Sequence, residues 1–239
     1  MHRFFTSDIQ QNYAIIRGDD VKHIAKVLRL KTGDVVQLCD GQGKECEAKI
    51  KSVSPDAVLT EPLEWTDCES EPAVFVSLFQ CLPKAGKMET IIQKCVELGV
   101  NSVVPVQSER CVVVLKQPFT GRVERWQRVS EEAAKQSRRG RIPIVSEPCK
   151  LHDLTFDGYD IVLAAYENER KVSVKTALLN AKQIQRVAIV IGPEGGFAEQ
   201  EIELLQKKGA VCVSLGPRIL RTETAGMVML AQIMYEVEL

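Results

Sequence analysis

Arg218 and Arg221 stand where stability alone gives no reason for them. Both lie in LGPRILRTETAG, in the turn that leads into the last helical stretch, and a cation at a helix N-terminus opposes the helix dipole. That makes both functional candidates. Thr222 and Glu223, which follow, have ordinary uses as the cap and the first-turn acid of that helix.

A second loop has the same form. VAIVIGPEGGF and VCVSLGPRIL are both β-branched runs that meet Gly-Pro, which ends a strand and turns the chain. Both turns are therefore expected at one edge of one sheet, beyond the carboxyl ends of the strands, where open α/β sheets bind ligands. Gly192, Gly195, Gly196 and Gly216 would let the backbone approach a flat ligand closely. The spacing of GPEGG matches neither the dinucleotide nor the phosphate-loop pattern. Glu194, Glu199 and Glu201 crowd the start of the next helix, where they would satisfy its dipole and repel a phosphate. The expected ligand is neutral or cationic where it meets these acids. S-adenosylmethionine, an adenosine with a sulfonium and no phosphate, fits that description.

Basic residues cluster elsewhere. Arg138, Arg139 and Arg141 surround Gly140 without neighbouring acids in the sequence, at the end of the helix in GRVERWQRVSEEAAKQSRRGR. Such a cluster binds backbone phosphates or complements the helix C-terminal dipole, and the sequence leaves both readings open. In that helix Val123, Trp126, Val129 and Ala133 form a buried stripe, so Trp126 reads as core rather than as a stacking platform for bases. Lys22, Lys26 and Arg29 lie opposite the apolar stripe (Val21, Ile24, Ala25, Leu28) of a helix expected over Asp20 to Leu30, capped by Asp19 or Asp20. They form either a solvated face or an RNA contact.

The elements that must position these residues fall into two rhythms. Up to about residue 65, short strands at Ala14 to Arg17, Val35 to Cys39, Cys46 to Val53 and Ala57 to Leu59, with one helix, predict a small barrel. Thr66 to Pro72 (TDCESEP) reads as a linker. From Ala73 strands alternate with helices, which predicts an α/β domain with a mainly parallel sheet. The final helix, from Thr222 to about Tyr235, has almost no polar face, which predicts burial on all sides and a subunit interface.

Composition narrows the class. Thirty-one basic against thirty-two acidic residues leave a net charge of −1, so any nucleic-acid surface must be local. The eight cysteines are scattered, with no C-x-x-C pair, and read as free thiols in a reducing compartment. Three dispersed histidines give no metal site, and no stretch has the length of a membrane span, so the expected location is cytoplasmic.

Taken together, MHRFF, HIAKVLRLKTGD, KAGKMETIIQKCVELGV, SERC, ERWQRVSEEAAKQSRR, IGPEGGF and LGPRILRTETA resemble the RsmE family. These are SPOUT-class enzymes that methylate N3 of a uridine in 16S ribosomal RNA of the small ribosomal subunit. The resemblance implies a PUA-like β-barrel that binds RNA over residues 1–70. It implies a SPOUT α/β domain over residues 71–239, tied in a deep trefoil knot that holds S-adenosylmethionine, and a homodimer without metal. Carried over, the cofactor would meet Leu163, Ala165 and Glu167, then Ile191, Gly192, Glu194, Gly195 and Gly196. Leu215, Gly216, Arg218, Ile219, Leu220 and Thr224 would complete its site. For that reaction Arg221 is expected to stabilise the developing uracil anion, with Glu223 as base or orienting partner. Arg3, Lys22, Lys26, Arg29, Gln136, Arg138, Arg139 and Arg141 would contact RNA. Two rival functions accompany this one: methylation at another RNA site such as a ribose 2′-hydroxyl, and a non-catalytic RNA-binding role in ribosome assembly.

Overall fold

The computed structural model describes residues 1–84, 86–115, 119–181 and 183–238. The chain divides into two compact units, one of residues 1–71 with 134–142 and one of residues 72–133 with 143–239.

The first unit is a sheet of β1 (Arg3–Phe5), β2 (Asp8–Ile9), β3 (Ala14–Arg17), β4 (Val35–Cys39), β5 (Lys44–Val53), β6 (Ala57–Pro62) and β7 (Thr66–Asp67). Its order is β1-β4-β5-β6-β3-β2, with β7 also paired to β5. The two ends of that order, β1 and β2, are consecutive pieces of one bent strand, so the sheet closes on itself as a barrel. Thr6 makes the bend: its N–H donates to Cys39 O of β4 and its hydroxyl to Ile15 O of β3. Alternate residues, among them Phe4, Ile16, Val36, Leu38, Ala48, Ile50 and Val58, fill the interior.

The helix expected over Asp20 to Leu30 differs from its expectation. α1 (Asp19–Lys22) has no side-chain cap, because Gly18 holds the cap position and both expected caps, Asp19 and Asp20, lie inside the helix; the Asp20 carboxylate meets Lys135 Nζ at 3.0 and 2.9 Å. From His23 to Leu28 the helix is wound as a π-helix, ending at Arg29 in the left-handed region with φ 55°. The wider turn rotates Ala25 out to solvent, while Val21 and Ile24 stay buried.

Thr66 to Pro72 is not free chain either. It contributes β7, and Glu71 is bonded to residues 139–141.

The second unit carries β8 (Phe75–Cys81), α2 (Lys87–Glu97), β9 (Ser102–Gln107), most of α3 (Thr120–Gln136), β10 (Ile144–Val145), β11 (Cys149–Lys150) and β12 (Ile161–Ala165). It continues through α4 (Val174–Leu179), β13 (Arg186–Ile191), α5 (Glu199–Lys207), β14 (Ala210–Val213) and α6 (Thr222–Glu238). The sheet order is β10-β9-β8-β13-β12-β14, with β11 also on β9, and every described pairing in it is parallel. Central β13 is buried from Val187 to Ile191, as a strand covered on both faces must be. α6 packs on α2, α4 and β13. It buries Met229, Leu230 and Ile233 but leaves Gln232 and Tyr235 exposed in the single chain. Trp126 of α3 is buried beside Phe119. No described helix is long and apolar enough to cross a membrane.

Candidate active site

Parallel register decides where the loops meet. β12 lies between β13 and β14, with Ala164 opposite Val190 and Ala165 opposite Val213, so the three strands end at one edge. The loops that follow them, starting at Tyr166, Gly192 and Ser214, therefore open side by side around a cavity of about 490 Å³. Both Gly-Pro turns lie at this edge, as expected.

Hydrogen bonds fix the roots of the two Gly-Pro loops to each other. Thr222, the first residue of α6, is buried and donates its hydroxyl to Gly192 O at 2.7 Å. The Thr222 hydroxyl oxygen in turn accepts from Gln80 Nε2 at 2.9 Å, and Gln80 also donates to Cys81 O. Thr222 is therefore not the helix cap expected of it, because its hydroxyl is engaged across the sheet edge. Arg221 takes the place before the helix, and its carbonyl accepts from the N–H of Thr224 and Ala225.

Glycine has a local cause at Gly196, where φ is 67° and an added Cβ would collide with the Glu167 carboxylate. At Gly216 the φ of 120° alone requires it. Arg110 Nη1 anchors the first loop by donating to Gly195 O at 2.9 Å.

The acids are arranged differently from the expectation. Glu201 is buried and caps α5: its Oε2 accepts the Ala198 N–H at 3.0 Å and its Oε1 the Glu109 N–H at 2.8 Å. Glu199 is exposed. Glu194 and Glu223 instead share one cation, with Lys87 Nζ 3.0 Å from Glu194 Oε1 and 3.1 Å from Glu223 Oε2. The Lys84 N–H adds a bond to Glu194 Oε1 at 3.1 Å. Burial works against the Glu194 charge, but its own N–H, Lys87 and Lys84 outweigh it and hold the carboxyl below the usual range. Glu223 is lowered by its own backbone N–H and by Lys87, and the two acids in turn raise the Lys87 ammonium. Arg221 Nη1 lies 4.0 Å from Glu223 Oε1, with its side chain 81% exposed.

The cavity brings together Ala165, Glu167, Ile191, Gly192, Glu194, Gly195, Gly196, Leu215, Gly216, Arg218, Ile219, Leu220 and Arg221. Three expected residues are not on its wall: Leu163 is wholly buried within β12, and Glu223 and Thr224 lie past the start of α6. Lys87, Tyr166, Arg170 and Phe197 line the cavity without having been singled out from the sequence. For Lys87 the signal was present, since a lysine opening a helix has the same unfavourable dipole as Arg221.

In the first unit, the arginine cluster has an acid at its centre after all. Glu71 accepts from Arg139 Nε at 3.2 Å and Nη2 at 2.8 Å, and from the Gly140 and Arg141 N–H groups at 3.0 Å each. The Arg139 side chain is 2% exposed, so it is a structural cation and not a surface contact for RNA. Arg3 is similarly occupied, on Glu45 at 2.6 Å and on Arg138 O. Lys22, Lys26, Arg29, Gln136 and Arg138 are exposed, and Arg141 is partly so.

The sequence matches the model of an RNA methyltransferase domain over residues 70–234 and that of an RNA methyltransferase PUA domain over residues 16–63. The chain belongs to the ribosomal RNA small subunit methyltransferase E family. It is 38% identical to the Bacillus subtilis member over 94% of this chain and 90% of the relative. Among solved structures, the Neisseria gonorrhoeae ribosomal RNA small subunit methyltransferase E bound to S-adenosyl methionine superposes with a TM-score of 0.85. It is 28% identical, with 99% of this chain and 98% of that one covered. A Legionella pneumophila methyltransferase solved with bound SAM gives 0.84 at 29% identity, covering 98% and 96%. The closed sheet of the first unit is thus the PUA-like barrel, and the parallel unit is the methyltransferase domain.

Proposed function

We propose that this chain transfers the methyl group of S-adenosylmethionine to N3 of a specific uridine in 16S ribosomal RNA of the small ribosomal subunit, acting as a cytoplasmic homodimer. The observation that carries this reading is the cavity at the ends of β12, β13 and β14, walled by two glycine loops and edged by carboxylates. Its residues suit the cofactor. Ile191, Leu215, Ile219 and Leu220 offer apolar surface for an adenosine, loop backbone groups can read the adenine edge, and Glu167 offers a carboxylate to a cationic group. The cofactor supplies an electrophilic methyl group. Names and bound ligands of the relatives support the same chemistry.

Uracil N3 carries a proton and is a poor nucleophile until it is lost, so the site must favour the uracil anion. Arg221 suits that role: its exposed guanidinium opens the cavity's α6 side and is not drawn into a tight ion pair. Glu223 suits orientation better than proton removal, because a carboxylate held below its usual pKa is a weaker base. Lys22, Lys26, Arg29, Gln136, Arg138 and Arg141 are the exposed groups proposed to meet RNA. The groove along Val174, Val228, Ala231 and Tyr235 supports a second copy against α6, and the bond that ties the start of α6 to Gly192 O supports the trefoil knot.

Incubation with labelled cofactor and unmodified small ribosomal subunits, followed by nucleoside analysis, tests the reading. Label in 3-methyluridine is expected. Label in a ribose would move the target to a 2′-hydroxyl, and no label would leave an RNA-binding role. Gly195→Trp is expected to abolish cofactor binding by calorimetry, whereas Arg221→Ala should cut transfer and leave binding within a few-fold.

A further inference from the structure

Lys87 opens α2 directly behind Gly86, at the helix end where a cation is disfavoured. Two acids offset that cost, and they come from different elements: Glu194 from the loop after β13 and Glu223 from the first turn of α6. The two elements are already joined at the root by Thr222 and Gly192. Glu194 lies two residues farther out, where its carboxylate is held by Lys87 Nζ and the Lys84 N–H. A lone surface ion pair would be worth little. One ammonium shared by two loops that wall the same cavity does something a lone pair cannot: it fixes the distance between them.

Resting on the methyl-transfer reading above, we propose that Lys87 is a positioning residue that clamps the tip of the β13 loop to the start of α6. It thereby sets the width of the cavity between the cofactor loops and Arg221. The side chain is 30% exposed and lines the cavity, so it acts at the edge of the site rather than from the core. Holding reacting groups in register can matter by about a hundredfold for a displacement of an ångström. Arginine should do the same task, because its fork carries enough donors to reach both acids.

Three measurements on the full chain test this. Calorimetry with S-adenosylmethionine should show Lys87→Met binding about tenfold or more weakly than the unmodified protein, and Lys87→Arg recovering most of the loss, within the range that misplacement produces. A melting-temperature cycle of Lys87→Met, Glu223→Gln and the double variant should be non-additive, because residues sharing a contact couple. Transfer assays should show the Lys87→Met deficit mainly in kcat at saturating cofactor, with Lys87→Arg restored. Unchanged binding in Lys87→Met, no recovery in Lys87→Arg, or an additive melting cycle would each overturn the clamp. If the unmodified protein bound no S-adenosylmethionine, the methyl-transfer reading would fail, and the melting cycle would still decide the clamp.

Discussion

Each unit gathers charges around one side chain, and the two centres have opposite signs and opposite surroundings. In the barrel unit Glu71 collects the Arg139 guanidinium and two backbone N–H groups, with Arg139 only 2% exposed and Glu71 13%. In the methyltransferase unit Lys87 lies between Glu194 and Glu223, all three between a fifth and a third exposed, beside an open cavity. The first centre bonds residues 139–141 to the rest of the barrel unit. The second is wetter and weaker, and it borders the space where chemistry is proposed. Burial sets the difference, because a desolvated charge must have its partners while a solvated one can exchange them.

The comparison can be broken at its stronger end first. Glu71→Ala would take the carboxylate from a buried guanidinium and from two N–H groups, and should destabilise the barrel unit by about 3–5 kcal/mol. Denaturant unfolding in a Trp126→Phe background, where the fluorescence comes from Trp65 against the barrel core, measures it. A loss near zero would mean that Glu71 is not what holds Arg139 in place. Gly140→Ala comes next, since its Cβ would lie 2.5 Å from Cys68 Cβ and 3.3 Å from the Gly43 carbonyl carbon. Such overpacking should cost about 1–3 kcal/mol in the same experiment.

At the weaker end, Lys87→Met should change unfolding free energy far less than Glu71→Ala, because its partners are partly exposed. A larger loss would make Lys87 a structural centre like Glu71. The smallest effect is that of pH. Glu194 and Glu223 have depressed folded pKa values, so their contribution is fully present above the ordinary carboxylate range and is lost as pH falls through it and below. Melting temperatures between pH 6 and 3, run with and without Lys87→Met, should show the variant losing less on acidification. Identical acid slopes would break the link to Lys87.

Much of the fold could be read from residue pattern. β3 and β4 run as expected from Ala14 to Arg17 and Val35 to Cys39, and β13 ends at its Gly-Pro turn, whereas β14 ends at Val213, before Ser214 and Leu215 lead into Gly216. β1 and β2 could not, because strands of three and two residues carry no period; only closure of the barrel makes them strands. HIAKVL fits helical spacing, and nothing in that spacing separates an α-turn from a π-turn.

The cavity divides along the same line. Its walls were readable as glycine, proline and apolar residues next to two strands, because those residues act through local backbone geometry and the sheet edge follows from strand direction. The Glu71 and Lys87 centres were not. Glu71 is far in sequence from the arginines it binds, and Lys87 from both of its acids, so no local pattern pairs them. Sequence alone determined the alternation of elements, the two loops and the family. Tertiary structure decided which charges are buried and which remain at the cavity, because desolvation is a property of surroundings that only the packed chain supplies.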